Sequence, residues 1–190
     1  MVTNRSHKVV GNFTGRWLGV LLLSLLLAGH ALGQSKEYQI KATFIFNFAQ
    51  FIDWPTTTFT ETNAPFCIGI LGDDPFGKYL DETVQGEKID GHPLVVQRYH
   101  QAAEATNCQV LFVSRSETKR LKEVLAGLKN QNVLTVGEVE GFCKDGGAVR
   151  FVTEQNKIHF RISPQAVKDA SLTASSKLLR LAEIVPPGGD

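Results

Sequence analysis

Phe66-Cys67-Ile68-Gly69-Ile70-Leu71 is an almost unbroken apolar run that ends at once in Gly72-Asp73-Asp74-Pro75-Phe76-Gly77. Six residues are too few for a buried helix, and turn formers bound them, so the run predicts a strand covered on both faces. The residues behind it open a helix. Asp74 can accept a backbone N–H as N-cap, and Pro75 suits the first helical position, where its missing N–H costs nothing. Strand, sharp turn and helix start form the repeating unit of a parallel α/β sheet.

A second run, Cys108-Gln109-Val110-Leu111-Phe112-Val113-Ser114, has the same form and also begins with a cysteine. If the two runs are neighbouring parallel strands, about 5 Å apart, Cys67 and Cys108 lie within disulfide reach. Closing that loop of roughly 40 residues would be worth on the order of 4 kcal/mol in the chain-entropy picture. Whether the bridge forms depends on the compartment, which the N-terminus addresses.

Arg5, Lys8 and Arg16 precede the apolar run from Trp17 to Ala28, and Ala31-Leu32-Gly33 supplies small residues before Gln34. This pattern predicts a secretory signal over residues 1–33, cleaved before Gln34. The apolar run has about twelve residues where a span needs about twenty. Leu27-Ala28-Gly29-His30 approaches a lipoprotein box, but His30 stands where the lipidated cysteine must be. The mature product is therefore expected to be soluble, periplasmic and in an oxidising space, without direct insertion in the membrane. Losing three basic residues and no acidic ones takes the net charge from +1 to about −2. That gives no electrostatic footprint for nucleic acid. Residues 34–185 suit one domain, and Pro186-Pro187-Gly188-Gly189-Asp190 reads as a disordered tail.

From Tyr38 to Trp54, apolar residues recur at helical spacing, with Tyr38, Ala42, Ile45, Ala49 and Ile52 on one stripe and Ile40, Phe44, Phe48 and Phe51 beside it. Trp54-Pro55 ends the helix. The apolar face is wider than one sheet contact requires. Pro75 to Val84 predicts a short helix, Pro93 to Tyr99 a strand, Gln101 to Thr106 a helical turn and Asn132 to Gly137 a further strand. Between the last two, Ser114-Arg115-Ser116-Glu117 has capping-box spacing ahead of a helix carrying Leu121, Val124, Leu125 and Leu128. Ala148 to Thr153 and Ile158 to Ser163 alternate in the manner of a hairpin. Pairing Thr153 with Ile158 sets Val149, Phe151, Ile158, Phe160 and Ile162 on one face, and Arg150, His159 and Arg161 on the other. Ser163-Pro164 caps a helix, and a closing helix is expected over 175–185. The expected fold is a single three-layer α/β domain with helices on both faces of a mostly parallel sheet that ends in an antiparallel hairpin at its C-terminal edge.

Gly72 to Lys78 satisfies most of a P-loop pattern, but two carboxylates and a proline fill the place of free N–H groups, and Tyr79 replaces the magnesium-binding hydroxyl. Helix capping accounts for the loop. Loops at the carboxyl ends of parallel strands are nonetheless where α/β sheets bind ligands, so Asp73, Asp74 and Ser114 are candidates for a pocket rim. His92, His100 and His159 are isolated, so no metal set and no cofactor is expected. Cys143 has no catalytic context and reads as a free thiol. Arg150, His159 and Arg161 form a candidate anion-binding face.

Ile40 to Pro55 resembles the opening helix of the YfiR/HmsC-like family. The likeness continues through Gly69 to Gly77, Cys108 to Ser114, Gly146 to Phe151 and Ser175 to Ala182, in order along nearly the whole mature chain. The resemblance implies a periplasmic regulator without catalysis of its own. It implies binding to the periplasmic domain of a YfiN-like inner-membrane diguanylate cyclase, which it holds inactive to restrain cyclic-di-GMP, exopolysaccharide and biofilm. Cys67 and Cys108 match the family's structural disulfide, whereas a second pair near Cys143 is incomplete here. Phe44, Phe48, Phe51, Leu178 and Leu181 are the candidate partner surface, and a homodimer stays open. The alternative is a periplasmic small-molecule-binding sensor acting on another membrane signalling protein.

Overall fold

The computed structural model describes residues 36–190 apart from residues 60, 62 and 156, so the expected signal over residues 1–33 lies outside the described residues. A helix, α1, occupies residues 36–51. It is followed by β1 (Ile52–Asp53), β2 (Phe66–Leu71), α2 (Lys78–Val84), β3 (Lys88–Ile89), β4 (His92–Tyr99) and β5 (Val110–Val113). Then come α3 (Leu121–Gly127), β6 (Leu134–Gly137), β7 (Val149–Glu154) and β8 (Lys157–Ile162). The chain closes with α4 (Pro164–Asp169), β9 (Thr173–Ala174), α5 (Ser176–Leu181) and β10 (Glu183–Ile184).

The main sheet runs β10-β8-β7-β6-β5-β2-β4-β3. β2 lies parallel between β4 and β5, and β5, β6 and β7 continue in parallel. Because successive side chains of a strand point to opposite faces, each buried strand serves two cores. Ile68 and Ile70 of β2 and Val110 and Phe112 of β5 face α1, α2, α4 and α5. Cys67 and Leu71, with Leu111 and Val113, face α3 instead. The three-layer α/β architecture with helices on both faces is thus the one the sequence predicts.

The β7–β8 hairpin pairs Thr153 with Ile158 and Arg150 with Arg161, the predicted register. The hairpin lies at the C-terminal edge of the sheet as expected, and the two-residue β10 adds in parallel to its outer strand, β8. The closing helix expected over 175–185 therefore stops at Leu181, and Ala182 turns to φ −91°, ψ 150°. The outer edge of β8 offers free backbone groups, and Val185 N–H donates to the Ile162 carbonyl at 2.8 Å. Ile184 and Val185 are β-branched and stand before Pro186, which favours extended chain there. A second antiparallel pair, β3 with β4, closes the opposite edge.

α2 also begins later than expected. Gly77 takes φ +54°, a conformation that favours glycine. Asp74 Oδ1 accepts from the N–H groups of Phe76 at 2.7 Å and Gly77 at 3.2 Å, so it shapes the turn ahead of the helix rather than capping it. The capping box at Ser114 is not formed through side chains. Ser114 starts the 3-10 segment Arg115–Arg120 with its carbonyl, while the Glu117 carboxylate goes to Arg120. Ser163 and Ser175 do cap α4 and α5, accepting from Ala166 N at 3.2 Å and Leu178 N at 3.3 Å. The tail expected to be disordered folds back, with the Asp190 side chain wholly enclosed and paired with Arg150 at 2.6 Å.

Phe142 lies fully buried between two glycines. A β-carbon on Gly147 would fall 2.1 Å from the Phe142 ring, and one on Gly137 would fall 2.4 Å from it. Gly147→Ala is therefore expected to destabilise the fold by about 1–3 kcal/mol through overpacking. Urea unfolding of the variant checks this, with Phe142→Leu added to the same chain recovering part of the loss. An unchanged urea midpoint would mean that the glycine is not needed there.

Candidate functional site

The carboxyl ends of the parallel strands are where an α/β sheet presents its loops. Here those loops are bonded to one another. Asp73 N–H donates to Ser116 Oγ at 3.0 Å, and Ser114 N–H donates to the Leu71 carbonyl at 3.0 Å. Asp74 Oδ2 receives Arg98 Nε at 3.0 Å, and the Arg98 fork also holds Asp81 at 2.9 and 2.5 Å. The Asp81 carboxyl is held below the usual range by those Arg98 hydrogen bonds. The structure does bring Asp73, Asp74 and Ser114 to one end of the sheet. It spends them on turns and on an ion pair.

The sequence reading missed a pair of deeply buried charges, which lie at this same end. Glu138 follows β6 directly and Lys41 sits on α1, with side chains 2% and 1% exposed. Lys41 Nζ pairs with both Glu138 and Glu37. It also stands 4.7 Å from the centroid of the Tyr38 ring. Tyr38 donates its hydroxyl to Glu138 Oε1 at 2.8 Å, and Arg115 Nε reaches the same oxygen at 2.8 Å. Burial works against the Glu138 charge, but the bonds and charges of Lys41, Tyr38 and Arg115 outweigh it and keep the carboxyl below its ordinary range. The Tyr38 phenol is pushed upward by burial and then by the Glu138 charge. Lys41 offered one signal in the sequence. It stands three residues from Tyr38 and four from Ile45 on the buried stripe, where a charge needs a partner.

Such a cluster ties α1 to the end of the sheet. Among the described residues, no group of three or more His, Cys, Asp or Glu is placed to hold a metal ion.

Cys67 lies on β2 and Cys108 two residues ahead of its parallel neighbour β5, and both face the same core, with Tyr99 and Leu111. The bridge expected between them is not formed, and all three cysteines are buried thiols. Each sulfur is turned to an oxygen instead: Cys67 Sγ is 3.6 Å from the Tyr99 hydroxyl, and Cys108 Sγ is 2.9 Å from the Ala105 carbonyl. Burial pushes both thiols upward.

The anion face is assembled in part. Arg150 and Arg161 stand level across the hairpin, and Asp190 of the tail occupies the space they frame. His159 lies level with Val152 further along and is exposed.

The partner surface needs correction. Phe48 and Leu178 are core residues, at 0% and 2% exposure. The Phe48 ring packs 5.0 Å from Phe160 and 5.7 Å from Phe151, so the hairpin covers the face that looked spare. Phe44 and Phe51 are half-buried against the same core. Leu181 is exposed at 73%, and Ile40 and Ile184 are also exposed. A cavity of about 410 Å³ lies near the amino end of β2, walled by Trp54, Phe59, Phe66 and His92.

The fold and its internally paired charges define a mostly parallel α/β domain with an antiparallel hairpin toward one edge of its sheet. Residues 38–183 match the YfiR/HmsC-like family, and the chain belongs to that family. No curated protein matches the chain.

Proposed function

We propose that the protein is a periplasmic regulator that binds the periplasmic portion of an inner-membrane diguanylate cyclase and holds it inactive. Its output is lower cyclic-di-GMP and less biofilm and exopolysaccharide. The observation that carries this reading is membership of the YfiR/HmsC-like family across residues 38–183. Among the described residues, no helix is long and apolar enough to cross a membrane. On this reading the partner supplies the span. Repression then requires that the domain bind the cyclase's inactive state more tightly, by about 1.4 kcal/mol for each tenfold shift in population.

The exposed apolar side chain of Leu181 is the contact to probe first, because it can be changed without touching the core. Crosslinking in intact envelopes followed by purification of the protein is expected to capture a membrane protein with a diguanylate cyclase domain. Leu181→Asp is expected to weaken that capture while leaving the unfolding midpoint unchanged. Recovery of no such membrane protein would count against the proposal.

The same reading puts the chain in an oxidising space, where Cys67 and Cys108 are expected to pair. Protein purified from the periplasm should then lose the mass of two hydrogens relative to reduced protein. The bridge should add roughly 2–4 kcal/mol to its stability. An unchanged mass would leave both as thiols, as the structure shows them.

The sensor alternative draws on the aromatic cavity walled by Trp54, Phe59 and His92. Thermal-shift screening of metabolites against the protein and a Trp54→Ala variant tests it. A ligand that raises the Tm of the first and not the second would favour it.

A further inference from the structure

The β7–β8 hairpin turns Phe151 and Phe160 toward α1 and sets Arg150 and Arg161 level on the opposite face. The chain returns to that face through its tail. Asp190 Oδ1 lies 2.6 Å from Arg150 Nη1 and 3.7 Å from Arg161 Nη1. Its other oxygen, Oδ2, accepts the Cys143 backbone N–H at 3.1 Å. The Asp190 side chain is fully enclosed, and the Arg150 side chain is 12% exposed. Arg150 Nε is buried and has no hydrogen-bond partner among the described residues.

The Arg150 guanidinium, a backbone N–H and, 3.7 Å away, the Arg161 guanidinium, whose Nε also donates to Glu183 Oε2 at 3.1 Å, surround one desolvated carboxylate in the manner of a carboxylate-recognition site. A buried carboxylate is stable only with such partners, so the bonds must offset its lost hydration. Nothing else in the tail provides comparable anchoring. Pro186, Pro187 and Gly188 are exposed, and Gly188 at φ +76° helps fold the turn in which Gly189 N–H meets the Pro186 carbonyl. The segment therefore resembles a tethered ligand, held at its acidic end. A tether of this length gives the Asp190 carboxylate an effective concentration on the order of millimolar, which a free acid must overcome to enter.

We propose that Arg150, Arg161 and the Cys143 N–H form a binding site for a carboxylate-bearing ligand, and that Asp190 is its internal competitor. The proposal does not depend on the cyclase reading. An acid that binds there displaces Asp190 from Arg150 and from the Cys143 N–H. Burial and then the Asp190 charge push the Cys143 thiol up to about 12, while Arg150 and Arg161 act in the opposite sense. Departure of Asp190 should thus make Cys143 easier to alkylate.

The test compares the mature chain with its Asp190→Ala variant, titrating each with succinate and with the acetylated peptide Pro-Pro-Gly-Gly-Asp. Binding is read from the arginine side-chain N–H signals in NMR, and peptide mapping follows iodoacetamide labelling of Cys143. The variant is expected to bind at least one probe tenfold or more tightly than the parent, and to label faster at Cys143. Succinate binding would show that a free acid suffices, and binding of the peptide alone would show that the acid must be displayed on a chain. Adding Arg150→Gln and Arg161→Gln should abolish the gain. If those variants fail to fold, the comparison of parent with Asp190→Ala still decides. Equal affinity in the two, or no binding of either probe by Asp190→Ala, would overturn the proposal.

Discussion

Lys41→Ala is expected to lower the unfolding free energy by about 3–5 kcal/mol, because it leaves the Glu138 carboxylate buried without its closest cation. Glu138→Ala should cost a similar amount for the converse reason. The paired replacement Lys41→Met with Glu138→Leu should be much milder than the two losses added together, since it removes both charges and fills the space with apolar atoms. Urea unfolding of the four proteins checks this, and simple additivity of the two single losses would contradict it. The pH dependence follows from the same cluster. The Glu138 carboxyl titrates below its ordinary value of 4.5 in the folded chain. Its contribution is therefore complete above that ordinary value and is lost as pH falls through the lower, folded one. Parent protein should lose stability on acidification through this window more steeply than the Met/Leu pair.

Phe48→Ala is the second large expected effect, at about 3–5 kcal/mol, because the ring is fully enclosed by Phe44, Phe151 and Phe160 and truncation leaves a cavity. The comparison that gives this meaning is Leu181→Ala. That side chain is 73% exposed, and its truncation should change stability by no more than about 0.5 kcal/mol. Denaturant melts of the two variants, set beside partner capture, separate residues that hold the fold from residues that meet another protein. A Phe48→Ala protein as stable as its parent would refute the packing described for α1.

The same pair of residues shows how far the sequence could be read. A helical wheel gives the breadth of an apolar face but not what covers it. Phe48 looked spare only because the hairpin that packs on it, through Phe151 and Phe160, arrives far later along the chain. Buried parallel strands were legible because each is a short apolar run between turn residues, and the hairpin register followed from the period-two alternation of 149–162. Local spacing misled at Leu181-Ala182, where helical periodicity could continue but the open edge of β8 competes for the backbone. The buried ion pair escaped because Lys41 and Glu138 are 97 residues apart, and the tail contact because Asp190 lies 40 residues from Arg150. Likewise the Cys67 and Cys108 strands were placed side by side from their runs alone. The state of their sulfurs depends on chemistry outside the chain.

The regulatory account is tested most directly by cellular cyclic-di-GMP, measured in the native bacterium with and without this protein and again after its restoration. Loss should raise the nucleotide several-fold, and restoration should return it to the starting level. Indistinguishable levels in all three strains would contradict the account, whatever surfaces the domain displays.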